Sequence, residues 1–576
     1  MKARAWRRQA LGWFVAATSR GTPRLQRVLT QLPESAGVSP DADVSEHVKR
    51  LLRYYRHLAE QVPQLPDPPR FSILIEDPDA DEALVAETVA ALRLQVWPEW
   101  ELCVSLAPDA ALAPPLLGLR GRAANKLKLG LPAATASERA RQAHATATGD
   151  YTIILSAGDR PYPSALAELA RAIDLEGRLT GSAPDALYSD ERTIKADGAM
   201  QGDPLLKPGW SPILLQGGDY VGALAAYRTT LLTDAGGPRF GPRGRHELAL
   251  SVAQVGPMVH VPHVLVQRRA RPLIRSASPP RMPGGRTSIV IPTRDQATLL
   301  STCVDSILER TDHPDLEVII VDNGTSESTA VDVLARLARD DRVSVLSMPG
   351  PFNFARLCNA GVRAAAGEVV TLVNNDTEVM RDSWLRTLVA WAAHAGVGAV
   401  GPQLRYPDGR IQHAGLAGMG EAGTGHLFVA RDPAAKTPLD LASVTREVLA
   451  VTGACLSIRR DTYWAVGGLD EAVVPNDSGD VDLCLRLRES GLVNLYVPDA
   501  VLVHHESPSR GRSFVDFERF YLQRRWPAEL LADPYLNPHL ARGTRYETDF
   551  RFGIPEVPTD TFNRWLAAGH LPVSLA

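Results

Sequence analysis

Cysteine is scarce in this chain: five in 576 residues (Cys103, Cys303, Cys358, Cys455 and Cys484), odd in number, widely spaced and without a CxxC pair. That excludes a disulfide framework and leaves reduced, buried thiols in a cytoplasmic protein as the expectation. Long apolar runs are missing as well, none approaching the roughly 20 residues that cross a bilayer. A strong charge excess is also absent. At a net charge of −4, and with no nucleic-acid-binding motif, DNA and RNA are not expected partners. Acids are missing ahead of Glu34, where Lys2, Arg4, Arg7, Arg8 and Arg20 stand among apolar residues. The apolar stretch Leu11–Ala17 is short, interrupted by Gly12 and followed by no small-residue cleavage site, which argues against a signal peptide. With Trp6, Trp13 and Phe14, this head suits peripheral contact with the anionic cytoplasmic face of the inner membrane. A solvated tail is the other reading.

A hydrophobic content of 45% and a charged content of 22% fit a soluble protein of two or three domains. Two Pro-rich stretches, QVPQLPDPPR and ARPLIRSASPPRMPGGR, punctuate the chain. They divide it into a basic segment with a helical stretch Val44–Gln61 (residues 1–70), a first α/β unit (71–270), a linker (271–286) and a second α/β unit (287–512). Residues 513–576 read as a helical extension. In the second unit, β-branched runs at Ser288–Ile291, Val318–Val321, Val343–Leu346 and Val369–Val373 alternate with helical patterns at Ala297–Glu309, Ser328–Ala338 and Ala355–Ala365. This alternation predicts a mainly parallel sheet covered by helices on both faces. Ligands in such sheets bind beyond the carboxyl ends of the strands. Thr293, Asp322 and Asp376 fall at those ends.

The first unit repeats the second without its reactive residues. Phe71-Ser-Ile-Leu-Ile75 parallels Thr287-Ser-Ile-Val-Ile291, GDYTIILSAG parallels GEVVTLVNND, and VPHVLVQ parallels VPDAVLVH. This register sets Gly158 against Asp376, Gln267 against His504, and RHELAL against the second unit's GDVDL. Asp159, Asp190 and Glu191 survive there without the partners that would make a site.

The turns IPTRD and VDNGTSES need no function on their own, since Asp, Asn and Gly supply turn geometry. They gain weight by standing in order ahead of NNDTEV, an acidic turn after a buried strand. A hard divalent cation bridging diphosphate oxygens needs only one or two protein carboxylates. Downstream, GDVDLCLRLRESG places Asp480 at a helix start, as a cap or as a reactive acid, and Asp482 within i,i+4 reach of Arg486. In VHHES, two imidazoles end an apolar strand; the offset to Gln267 favours His504 as a ligand, with His505 the alternative.

Together with VTGACLSIRRDTYWAVGGLDE, these motifs resemble inverting family 2 glycosyltransferases of the GT-A fold, of the bacterial type that builds O-antigen, rhamnan-like or other surface polysaccharides. The resemblance covers Thr287–Arg512, and YSDERTIKADG, LLKPGWSP and DPYLNPHL extend it to either side. It implies two tandem Rossmann-like nucleotide-sugar-binding units, the second catalytic and the first degenerate. It implies nucleotide contacts from Pro292, Thr293, Asp322, Asn374 and Asp376. Asp376 matches the last acid of an Asp-x-Asp metal motif whose first acid is here Asn374, and His504 completes a site for Mg²⁺ or Mn²⁺. Asp480 matches the catalytic base, while His413, His426 and Asp477 lie in loops shaping the donor and acceptor pocket. The implied reaction moves a sugar from a UDP- or dTDP-linked donor to a hydroxyl of a saccharide or lipid-linked acceptor with inversion. The alternative is a non-catalytic sugar- or nucleotide-binding scaffold of a polysaccharide assembly complex.

Overall fold

The computed structural model describes residues 65–76, 81–119, 126–195, 204–269, 273–282, 284–420, 423–505, 515–542 and 548–552. The basic head and the Val44–Gln61 stretch lie outside the described residues. The chain forms two compact units, one built mainly from residues before 274 and the other mainly from residues after it. Ser211–Gly218 is compact with the second unit, although the sequence groups it with the first.

The first unit holds strands β1 (Phe71–Glu76), β2 (Trp100–Val104), β3 (Leu127–Leu129), β4 (Tyr151–Ser156), β5 (Arg160–Pro161), β6 (Ala186–Thr193), β7 (Ala225–Arg228) and β8 (Val259–Arg268). The second unit begins with β9 (Thr287–Thr293), β10 (Leu316–Asp322), β11 (Val343–Ser347) and β12 (Val369–Val373), followed by β13 (Thr377–Val379) and β14 (Val397–Arg405). Short strands β15 (Ile411–His413), β16 (Leu416–Gly418), β17 (Thr424–His426) and β18 (Arg446–Val448) precede β19 (Cys455–Arg459) and the long β20 (Val493–His504).

The two sheets share one strand order. The first runs β3-β2-β1-β4-β7-β6-β8-β5, and the second runs β11-β10-β9-β12-β19-β14-β20-β13. Parallel and antiparallel pairings also correspond. β4 and β12 each meet an antiparallel neighbour, while β6–β8 and β14–β20 are both parallel. The repeat seen in short sequence matches is therefore a repeat of a whole topology.

The sheets are mixed, which corrects the expectation of a mainly parallel sheet. β9 to β12 are parallel and linked by the helices Ala297–Arg310, Ser328–Leu337 and Phe354–Ala364, as the alternation requires. Beyond β12, strands β19 and β13 run antiparallel to their neighbours. An apolar run specifies a strand but not its direction, and direction follows from the crossover, which those later segments lack.

Each sheet carries its own apolar core, Phe71, Trp97 and Leu102 lying in one and Ile291, Trp384 and Leu495 in the other. Close packing explains Gly361 on the helix after β11: a Cβ there would come within 2.2 Å of Val290 Cγ1 on β9. All five cysteines are free and buried, and burial pushes the Cys103 and Cys303 thiols up to about 12. Among the described residues no helix is long and apolar enough to cross a membrane. The extension contains helices Val515–Arg525 and Pro527–Leu531, then a strand pair, Leu540–Arg542 with Thr548–Phe552.

Within the second unit, Glu447 on β18 is fully buried and accepts the backbone N–H groups of Ile213 (2.7 Å) and Leu214 (3.4 Å). Desolvation outweighs these bonds and raises its carboxyl to about 7. A folded-state value above the unfolded one means that the native protein holds the proton longer. Stability is then full below about 4.5 and falls as pH rises towards 7. Relative to Glu447→Gln, which does not titrate, the wild-type protein should lose on the order of 2–3 kcal/mol between pH 5 and 8, measured by urea unfolding at each pH.

Candidate active site

At the carboxyl ends of β9, β10 and β12, polar side chains replace the apolar run. The ladder sets Asp322 beside Thr293. Asp322 Oδ1 accepts the Thr325 N–H at 2.8 Å, closing the turn that aims the rest of the loop. Thr293 Oγ1 accepts from Asn375 Nδ2 at 2.9 Å, which ties the first strand end to the acidic turn. Asp295 stitches the first two turns together by accepting the Ser326 and Glu327 N–H groups at 2.8 and 2.9 Å, and these bonds hold its carboxyl below the ordinary range. Read from sequence, Asp295 was only a turn residue; no local pattern marks a contact made across to another loop.

The acidic turn meets the end of β20. Thr377 pairs with His504 in the β13–β20 ladder, so the imidazole lies beside the preceding residue, Asp376. His504 Nε2 is 3.1 Å from Asp376 Oδ1, and both side chains are nearly buried. His505 faces the other way, with Nε2 3.4 Å from Glu378 Oε2. His504 Nδ1 lies 2.7 Å from Gln412 Oε1 on β15. An amide oxygen accepts only, so Nδ1 carries a hydrogen, and Nε2 is the ring nitrogen that faces Asp376. Asn374 Nδ2 approaches that same Nε2 at 3.4 Å.

This arrangement fits a small divalent ion. An N···O spacing of 3.1 Å is what two neighbouring ligands span around an octahedral ion with bonds of about 2.1 Å. Gln412 supplies the outer hydrogen bond that fixes a ligating imidazole. Among the described residues no three or more His, Cys, Asp or Glu side chains are placed so that together they could hold a metal ion. Two protein donors are what a hard divalent ion that keeps several waters takes from its site.

Asp480 lies in the first turn of the helix Gly479–Glu489, whose cap position is Ser478, so it is not the cap itself. Its Oδ2 accepts the Gly453 N–H at 2.6 Å and its Oδ1 the Val481 N–H at 2.8 Å. The next residue, Ala454, accepts the Asn374 N–H through its carbonyl at 2.9 Å. The Gly453–Ala454 dipeptide therefore links the base candidate to the acidic turn. Asp480 shares a pocket with Asp477, Asn476, Phe354 and Thr452. Asp482, two residues on, is fully buried and bonds Arg486 Nε at 2.8 Å, the structural i,i+4 use expected of it.

His413 is fully buried, with Nδ1 2.9 Å from His426 Nδ1 and Nε2 accepting the Gly415 N–H at 3.3 Å. Burial holds its imidazole well below the ordinary range. The contact that β15 makes with His504 comes through Gln412 instead.

The corresponding strand ends of the first unit carry different chemistry. Gln267 pairs with Arg160, as His504 pairs with Thr377. Arg245, in the region matching Asp480, donates to Ser156 Oγ at 2.8 Å and lies 3.3 Å from Glu76 Oε2. Asp159 folds back to accept the Ser156 N–H at 2.9 Å, and burial raises its carboxyl to about 6. The other surviving acids have structural partners: Glu191 binds Lys207 and Arg268, each at 3.1 Å, and Asp190 binds His260 at 2.9 Å.

Residues 288–467 match the profile described as glycosyl transferase family 2. Over 547 residues the chain is 34% identical to a Sinorhizobium fredii protein named "Uncharacterized protein y4gI", covering 84% of this chain and 59% of that one. It is 33% identical to the O-antigen biosynthesis protein RfbC of Myxococcus xanthus, over 84% of this chain and 41% of RfbC. It is 28% identical to an N-acetylglucosaminyl-diphospho-decaprenol L-rhamnosyltransferase of Mycobacterium tuberculosis, over 39% of this chain and 77% of that enzyme. The chain thus spans only about half the length of the first two relatives.

Proposed function

Residues 288–467 belong to glycosyl transferase family 2, and we propose from that premise that the second unit transfers a sugar from a nucleotide-sugar donor to a hydroxyl of a saccharide or lipid-linked acceptor, with inversion, in surface polysaccharide synthesis. The observation that carries this reading is the convergence of Asp480 with the Asp376–His504 pair through Gly453–Ala454. The names of the relatives from Myxococcus xanthus and Mycobacterium tuberculosis point to the same substrate class.

In this reading Thr293, Asp322 and the Asn374–Asp376 turn hold the nucleotide at the strand ends. Asp376 and His504 would hold Mg²⁺ or Mn²⁺, which when bound supplies charge neutralisation at the departing diphosphate. Asp480, with both oxygens oriented by backbone N–H groups, takes the acceptor hydroxyl proton as that oxygen bonds to the anomeric carbon. The nucleoside diphosphate leaves from the opposite face, so one displacement inverts the configuration. A panel of UDP-, dTDP- and GDP-sugars with saccharide and lipid-linked acceptors, scored for free nucleoside diphosphate with and without Mn²⁺, tests the proposal. Donor-dependent release is expected. Binding of UDP without release across the panel would favour the scaffold reading instead.

We further propose that the first unit is catalytically silent. Arg245 occupies the base region, and Glu76 and Ser156 engage it. Asp159→Ala should leave turnover within about threefold, as expected when no catalytic interaction is removed. A loss of 100-fold or more in a variant with wild-type circular dichroism would assign the first unit a working site.

A further inference from the structure

The loop that leads into the Asp480 helix is held by a residue outside the segment matched by the family. Asn476, Asp477 and Ser478 present three consecutive backbone N–H groups just before the helix, the kind of donors that a helix start leaves unsatisfied. Ser478 is the cap residue, yet its side chain makes no cap bond. Glu518, on the helix Val515–Arg525, instead holds the three residues that lead into the Asp480 helix. Its carboxylate accepts from Asn476 N at 3.1 and 3.4 Å, from Asp477 N at 2.8 Å and from Ser478 N at 3.0 Å. Glu518 is 1% exposed.

The same segment also grips the first turn of the Asp480 helix, at Asp482. Trp526 Nε1–H donates to Asp482 Oδ1 at 3.0 Å, and Arg525 Nη1 lies 3.2 Å from the same oxygen. Glu518, Leu522 and Trp526 recur at helical spacing and are all buried, so they form one stripe. Packing alone would call for an apolar residue at the first position, because a buried carboxylate loses hydration that only strong hydrogen bonds replace. Here the replacement comes wholly from the loop amides. That loop also borders the Asp480 pocket: Asn476 and Asp477 line it, and Asn476 Oδ1 accepts the N–H of Phe354, another lining residue, at 3.2 Å.

We propose that Glu518 is a positioning residue for the transfer step, fixing loop 476–478 and through it the placement of Asp480 against the acceptor hydroxyl. The inference rests on the reading of Asp480 as the base. It makes the extension part of the catalytic apparatus rather than a tail packed on it.

Glu518→Gln tests it in the full chain. Glutamine keeps the shape but offers one acceptor oxygen, and turns an N–H₂ towards the loop amides. Turnover should fall about 10–100-fold, the cost of a misplaced reacting group. UDP affinity measured calorimetrically with Mn²⁺ should stay within about twofold, since Glu518 touches none of the strand-end groups. Parallel loss of UDP affinity and turnover would show a general structural role and overturn the proposal. So would turnover within threefold of wild type while Asp480→Asn, assayed alongside, is inactive. If Asp480→Asn is itself active, the base assignment fails rather than the clamp alone. Should Glu518→Gln not fold, Glu518→Asp, whose carboxylate retreats by one methylene, is held to the same two readouts. Failure of both to fold counts against positioning, because the residue would then be holding the fold.

Discussion

Asp480→Asn should lower turnover by about 10²–10⁴-fold, the usual cost of removing a general base, while UDP affinity in the presence of Mn²⁺ stays near wild type. The two effects separate because the geometry separates them. Asp480 is oriented by Gly453 and Val481, at 2.6 and 2.8 Å, on the helix side of the pocket. Thr293, Asp322 and Asp376, the groups proposed to hold the nucleotide, lie at the ends of different strands. Asparagine can keep one of the two backbone bonds and loses the other, so stability should drop by only about 1 kcal/mol. A rate loss of 10²–10⁴ corresponds to about 3–5 kcal/mol of barrier, well outside that structural cost. The check is nucleoside diphosphate release under saturating donor, paired with calorimetry. Near wild-type turnover, or lost UDP affinity with turnover per bound donor unchanged, would remove Asp480 from the role. Asp477, which lines the same pocket, would then be the next candidate.

The residues at strand ends were legible in the sequence because each follows a β-branched run that can only be a buried strand. Thr293, Asp322 and Asp376 therefore fall where the alternation of strands and helices puts them. Side chains alternate along a strand, so only one of the two adjacent histidines can serve the site; the register with Gln267 favours His504 and leaves His505 as the alternative. Gln412 and Glu518 were not legible. The His504–Gln412 contact joins residues 92 apart, and Glu518 meets its loop from 40 to 42 residues away. Gln412 is not of a type that signals metal or base chemistry, and Glu518 stands in no motif that singles it out from the other acids. In IQHAG the histidine drew the reading, whereas the structure buries His413 and turns its neighbour Gln412 to the site. The antiparallel strands were missed because burial pattern carries no direction. Only the pairing ladder shows that the first unit repeats this order strand for strand.

Asp376→Asn should abolish the dependence of turnover on added Mn²⁺ and lower Mn²⁺-supported turnover by at least about 100-fold. The expectation follows from how little anionic charge this site holds. Where the family motif carries two acids, this chain has Asn374 and Asp376, so in the proposed site one carboxylate would hold the ion with His504. A neutral amide at position 376 would leave no anionic protein ligand in the acidic turn, and hard divalent ions bind chiefly through anionic oxygen. Removing Gln412, which touches His504 and not the ion, should cost less. Loss of an outer-shell partner typically costs about 10–100-fold. The ranking of Asp376→Asn below Gln412→Ala is therefore part of the prediction. Two measurements check it: diphosphate release across a Mn²⁺ titration, and the gain in UDP affinity on adding Mn²⁺, which needs no acceptor and no turnover. In Asp376→Asn that gain should vanish, whereas in Asp480→Asn it should remain. If Asp376→Asn keeps both its Mn²⁺ response and its turnover within threefold, the leaving diphosphate is stabilised by other groups, and the pairing with His504 at 3.1 Å is a structural contact.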